Sequence, residues 1–302
     1  MRPVSAAPAI AGPGRVPAAQ LLLALAVVAV WGSNFVVIKW ALAVMPPFLL
    51  ALLRFVLVLL PALWFVPRPA VPWPQLAAYG VCIGAGQFGL LYAAIDGRIA
   101  PGLASLLIQT QVFFTIGLAW WADGERLRRL QVPALMLAVA GVGVIAAHTG
   151  GELSAAGLGL VLLAALSWAV GNQVARRMGR VPMLGVVVWS SAFAIPPLVL
   201  LTLGLEGPAR IAQALAEADA GTWAAVAWQA VGNSLFGYAA WGWLLARHPA
   251  ATIAPMALGV PVFGLASAAW LLAEPLPPWK WAAAGLVIGG LFLNLLASRR
   301  GP

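Results

Sequence analysis

The sequence predicts an all-α membrane protein of ten transmembrane helices, arranged as two inverted five-helix repeats, and three observations predict it. Hydrophobic residues fill 63% of the 302 positions and charged residues only 8%, against about 25% charged in a soluble domain. Surface-to-volume scaling leaves a chain of this size too little interior to bury such a composition, so lipid must serve as its solvent. Lys and Arg also fall with a strong bias on alternate sides of a ten-span map, and the two halves of the chain echo one another.

A membrane helix needs about 20 mostly apolar residues, and the breaks between such runs are charged or rich in Pro and Gly. The first span, 20–38, carries the polar cluster Trp31-Gly32-Ser33-Asn34 and ends at Lys39. Leu21 to Val30 has the form of a signal-peptide core and Ala41-Leu42-Ala43 a small-x-small site. The length of the apolar run and the polar cluster inside it favour a retained span. The second span, 46–66, contains Arg54 and gives way to a proline-rich turn. Spans at 76–95, 100–121 and 130–147 complete the first half, separated by Asp96-Gly97-Arg98 and by the run Asp123 to Arg129. The second half holds spans at 157–174, 182–205, 223–245, 250–272 and 279–296, the ninth interrupted by Pro255 and Pro261. Residues 1–19 are a cytoplasmic tail in this reading, 20–148 the first repeat and 157–297 the second. The longest segment between spans, Glu206 to Thr222, has the makings of a small amphipathic helix.

The charge of +9 would suggest nucleic acid in a soluble protein. In a membrane protein its distribution matters more, and no nucleic-acid partner is expected. Of the 17 Lys and Arg, twelve lie on the side shared by both termini, four (Lys39, Arg98, Arg210 and Lys280) on the other, and Arg54 lies within a span. The positive-inside rule places both termini in the cytoplasm. Six of the eight acidic residues fall on the opposite side, in agreement.

The stretch beginning at Ala100, APGLASLLIQTQVFFTIGLAWWADGERL, resembles PAATIAPMALGVPVFGLASAAWLLAEPL beginning at Pro249, and matching Glu125 to Glu274 gives a shift of 149 residues. A second echo sets Trp31 beside Trp168 and Asn34 near Asn172. An odd number of spans per repeat inserts the second copy upside down, the plan of secondary transporters that bind substrate near the midplane.

Arg54 is the most informative residue. It stands about eight residues, roughly 12 Å, into its helix, where contact with lipid would cost a few kcal/mol at least. It therefore points into the bundle, either to cap backbone carbonyls or to attract a substrate carboxylate. Lys39 ends its span and reads as an interfacial lysine. Trp31 and Asn34 share a helix face, as do Trp168 and Asn172. An amide supplies donors and an acceptor, and a tryptophan face holds an ammonium, so the pairs suit a zwitterion; bonding between helices is the alternative. Gln87, Gln109, Gln111, Gln229, Asn233 and Asn294 add further amides, which suggest a polar cavity.

Gly80 with Gly84 and Gly285 with Gly289 have the small-xxx-small spacing of close helix contacts, and most of the 15 tryptophans fall near span ends, as an interfacial belt does. No Asp, Glu or His lies mid-span, which argues against a buried carboxylate proton relay and against Ser-His-Asp or metal-hydrolase chemistry. The lone Cys82 forms no intramolecular disulfide, and no zinc, haem or other cofactor motif is present. The reading is a transporter and not an enzyme.

At WGSNFVVIKWAL, PGLASLLIQTQVFFTIGLAWWADGERL, SWAVGN and PVFGLASAAWLLAE the chain resembles the EamA branch of the drug/metabolite transporter superfamily, over nearly all ten helices. The likeness is greatest to members that export cysteine and O-acetylserine. It implies a central cavity between the repeats and efflux of small metabolites across the bacterial inner membrane. Ala273-Glu274-Pro275 departs from the first copy, Asp123-Gly124-Glu125-Arg126, so equivalent roles for the two glutamates do not follow. The expectation is an alternating-access exporter of small zwitterionic metabolites. Trp31, Asn34, Arg54, Gln87, Gln109, Gln111, Trp168, Asn172, Gln229 and Asn233 would form the binding site. The alternatives are a same-fold exporter of other metabolites or drugs, and a non-transporting membrane scaffold or sensor.

Overall fold

The computed structural model describes residues 16–299; most of the tail, with Arg2, Arg15 and Arg300, lies outside them. Helices dominate the described residues, whose β contacts are isolated bridges such as Ile99 to Leu153. In chain order they are α1 (Ala18–Ala41), α2 (Pro47–Ala62), α3 (Trp73–Ile95), α4 (Pro101–Ala122), α5 (Gln131–Ala147), α6 (Ala155–Arg177), α7 (Met183–Leu201), α8 (Gly207–Glu217), α9 (220–247), α10 (Ala254–Leu271) and α11 (Pro278–Arg299).

Seven helices among the described residues are long and apolar enough to cross a membrane. α2 and α5 are apolar but only 16 and 17 residues long, roughly 25 Å at 1.5 Å per residue. α2 stops short of its expected end, closing at Ala62 just after Pro61 and giving way to turns. α9 is continuously helical but carries Gln229, Asn233 and Ser234 in its middle. The amphipathic helix expected beyond Glu206 is α8, set off by Gly207 at φ 78°. Glu206 itself turns back and accepts hydrogen bonds from the backbone N–H groups of Phe48 (2.6 Å) and Leu49 (3.0 Å), satisfying donors left open at the start of α2.

The helices pair in a regular way. α1 packs along α10 and α9, α6 along α4 and α3, α2 along α7, and α5 along α11. Gly80 and Gly84 let α3 meet α7 as the spacing suggested: a Cβ on either would collide with Ser190 O or Ala194 Cβ. The other glycine pair does not behave as expected. A Cβ on Gly285 or Gly289 would meet nothing within 4 Å, whereas on Gly290 it would lie 2.7 Å from Ala134 O, so α11 turns a different face to α5. Spacing alone could not choose, because α11 offers small residues both at Ala282 to Gly285 and at Gly289-Gly290.

Local irregularities recur within one to three residues of the 149-residue shift. α3 widens into a π-helix over Val81–Gly89, and α9 over Gln229–Phe236. α4 tightens into a 3-10 turn at Ile108–Thr110, and α10 at Ala254–Leu258, where Pro255 lies. Each wide turn leaves carbonyls without their regular partners, and side chains serve them: Ser167 Oγ donates to Cys82 O at 2.8 Å, and Ser234 Oγ to Gln229 O at 3.0 Å. α4 and α10 also end alike, through left-handed residues Gly124 (φ 67°) and Ala273 (φ 53°). Ala273 is the sole non-glycine with positive φ among the described residues. Ala273→Gly is therefore expected to raise stability by about 1 kcal/mol by removing the Cβ clash, read as a higher melting temperature of the detergent-solubilised protein.

Candidate substrate cavity

A cavity of ≈ 470 Å³ lies between the helix pairs. Eight of the ten expected site residues line it: Trp31, Asn34, Gln87, Gln109, Gln111, Trp168, Asn172 and Asn233. Arg54 and Gln229 stand behind its wall. The cavity reaches past Ala175, Met183 and Leu295 to Ser298, which is exposed, so it runs to the end of the bundle where α6 and α11 finish. Toward the other end Ile38, Leu91 and Ile108 form its floor. Below them Ile95, Leu103, Leu106 and Leu107 are fully buried and seal the bundle.

Arg54 is 1% exposed and organises the polar side of the wall. Its Nη2 donates to Asn233 Oδ1 (2.7 Å) and Ser234 Oγ (2.8 Å), its Nε to Ser234 Oγ (3.1 Å), and its Nη1 to Tyr92 Oη (2.8 Å) and Gln229 Oε1 (3.3 Å). Each of these partners is neutral. The Phe88 ring, which lines the cavity, lies 3.7 Å from the guanidinium carbon by its centroid and covers the charge. Arg54 thus sits in a cradle of uncharged side chains, and its positive charge is only dispersed by hydrogen bonds and one aromatic face.

The network fixes further orientations. Gln229 Oε1 accepts from Arg54, from Tyr92 Oη (2.9 Å) and from Asn34 Nδ2 (3.1 Å). Asn34 must therefore present its amide NH₂ to α9, which leaves its Oδ1 buried with no partner among the described residues. Gln87 Oε1 is likewise buried and unpartnered. Such orphaned acceptors are costly unless something fills them. Trp31 Nε1 donates to Asn233 O (3.1 Å), in the π-helical stretch of α9, and its ring packs against Tyr238 and Trp241. On the facing wall Asn172 Nδ2 donates to Gln111 Oε1 (2.8 Å) and Thr115 Oγ1 (3.3 Å). The Trp31–Asn34 and Trp168–Asn172 faces share the cavity, but each asparagine is tied to a different helix.

Tyr79, Tyr92, Ser234, Tyr238 and Trp241 belong to this region and were not singled out from sequence. Tyr92 and Ser234 complete the Arg54 cradle, and Tyr79, Tyr238 and Trp241 line the cavity. A signal existed in part: the chain has only three tyrosines, and Tyr238 stands well inside α9, away from the ends where a belt would put it. No acidic residue lines the cavity, and no cluster of metal-ligating side chains occurs among the described residues.

A second polar group closes the sealed end. Lys280, 2% exposed, pairs with Glu152 and donates to Pro275 O (2.8 Å). Glu274 accepts from Gly102 N–H at 3.3 Å. Burial pushes the Glu274 carboxyl above the usual carboxylate range, while Lys280, the Gly102 N–H and Lys39 pull it back.

Comparison with known proteins agrees with this architecture. Residues 19–147 and 155–296 match the EamA-like transporter family. A probable amino-acid metabolite efflux pump of Salmonella typhimurium is 44% identical over 92% of this chain and 95% of its own length, and one of Escherichia coli K12 is 42% identical over the same shares. A protein known from a crystal structure superposes with a TM-score of 0.62 at 21% identity, covering 95% of this chain and 100% of that one, and so shares the fold. The chain belongs to the EamA-like transporter family.

Proposed function

We propose that this protein is an alternating-access exporter of small zwitterionic amino-acid metabolites, of the size of cysteine or O-acetylserine, in the bacterial inner membrane. The observation that carries the reading is an uncompensated guanidinium behind a cavity lined by amides and aromatics and free of acidic side chains. A carboxylate held roughly 7 Å from Arg54 gains about 2 kcal/mol at an effective dielectric of about 20. Asn34 Oδ1 and Gln87 Oε1 are acceptors for a substrate N–H, and the rings of Trp31, Trp168, Tyr238 and Trp241 shape the rest of the wall. The size of the cavity fits such a molecule.

Ten spans in two inverted repeats fit the helix pairing. Exchanging the halves turns α1·α10 into α6·α4 and α1·α9 into α6·α3, and leaves α2·α7 and α5·α11 unchanged. The π-helical and 3-10 turns, which recur within three residues of the 149-residue shift, support the same plan. The excess of Lys and Arg on the side of the termini supports a cytoplasmic location for both, and the cavity then opens inward, ready to load. The relatives' description as probable amino-acid metabolite efflux pumps points to the substrate class.

The test is efflux of labelled cysteine, O-acetylserine and cysteamine from cells expressing the protein. Export of the two zwitterions, with cysteamine retained, is the expected result, because a cation lacking a carboxylate meets only the field of Arg54. Export of cysteamine alone favours the aromatic wall as a drug site, and export of none of the three removes the substrate assignment.

A further inference from the structure

The two ends of the bundle hold their related glutamates differently. At the sealed end, both carboxylate oxygens of Glu274 lie within 3.3 to 3.5 Å of the Gly102 N–H at the start of α4. The fit is close: a Cβ on Gly102 would stand 2.8 Å from Glu274 Oε2 and 3.3 Å from Ala268 Cβ. A carboxylate at a helix N-terminus is favourable, and this one ties α10 to α4 across the seam between the two helix pairs. Lys39 stands in the last turn of α1, the helix packed along α10, yet it makes no hydrogen bond or ion pair with Glu274 among the described residues.

At the open end Glu125 leaves α4 by the same turn. The backbone N–H of Glu125 donates to Ala119 O and that of Glu274 to Ala268 O, both at 3.3 Å and both 149 residues apart. The carboxylate of Glu125, however, pairs with Arg176 at 2.9 Å. Arg176 follows Trp168 by the same eight residues that separate Lys39 from Trp31, so the two cations occupy matching ends of α6 and α1. The open-end glutamate thus holds the cation of the helix packed beside its own, and the sealed-end glutamate holds the helix across the seam.

We propose that Glu274 and Glu125 are exchange latches: when the outer end opens, Glu274 leaves the Gly102 N–H for Lys39, adopting the arrangement that Glu125 and Arg176 already show. The proposal rests on the alternating-access reading above. The two interactions are of similar size, which keeps both arrangements within thermal reach.

The test uses Ala268→Cys on a Cys82→Ser background, with a membrane-impermeant maleimide added outside intact cells. Ala268 is fully buried against Gly102 when the end is sealed, so labelling reports opening and needs no known substrate. Lys39→Gln should slow labelling roughly two- to fivefold, the worth of one ion pair, while Lys39→Arg keeps the wild-type rate. Combining Lys39→Glu with Glu274→Lys should speed labelling, because a lysine at the N-terminus of α4 disfavours the sealed end while the open-end pair is restored. Labelling indifferent to Lys39→Gln overturns the exchange alone. A cysteine never labelled in any background overturns the exchange and alternating access together. Lys39-dependent labelling without export of cysteine supports the latch and removes only the substrate assignment.

Discussion

Arg54→Gln is expected to reduce export at least tenfold and to lower the melting temperature of the purified protein. The substitution removes the donors that hold Tyr92, Gln229, Asn233 and Ser234 in place, and breaking a buried charged network of this kind costs about 3–5 kcal/mol. Arg54→Lys separates the two roles that sequence left open. An ammonium keeps the positive field but cannot reproduce the planar fork that serves four acceptors, so stability should fall while part of the export survives. Efflux at matched membrane abundance, set beside thermal unfolding in detergent, reads the difference. Export that tracks stability through both variants would reduce Arg54 to a purely structural residue.

Two glycine-to-alanine substitutions should move stability in opposite directions, although their sequence contexts look alike. Gly80→Ala drives a methyl into the backbone carbonyl of Ser190 where α3 crosses α7. Overpacking of this sort costs about 1–3 kcal/mol, and neither backbone can move aside without disturbing the π-helical turn next to it. Gly285→Ala adds a methyl to an exposed face with nothing within 4 Å and gains helix propensity worth up to about 1 kcal/mol. Thermal unfolding of the two variants beside the wild type provides the measurement. A Gly80→Ala protein as stable as the wild type would show that the α3–α7 crossing yields more readily than its geometry implies.

Composition, the positions of charges and the 149-residue echo are written along the chain, and they determined that this protein is helical, belongs in a bilayer and is built in two related halves. They also marked the amides of the cavity wall, because an amide inside an apolar run is conspicuous wherever the helix later points. What each polar group touches was decided only by the tertiary structure. Arg54 meets partners 38 to 180 residues away, and no local pattern encodes a hydrogen bond across that separation. The sequence offered Arg54 as a cap for carbonyls or a ligand for carboxylate, and the fold surrounds it with neutral side chains behind Phe88. Rotation of α11 chose Gly290 over Gly285 and Gly289, and the seam between α4 and α10 chose Gly102 as the partner of Glu274. The physical reason is the same throughout: burial in lipid follows from what a segment contains, whereas satisfying a buried polar group depends on which other segment arrives beside it.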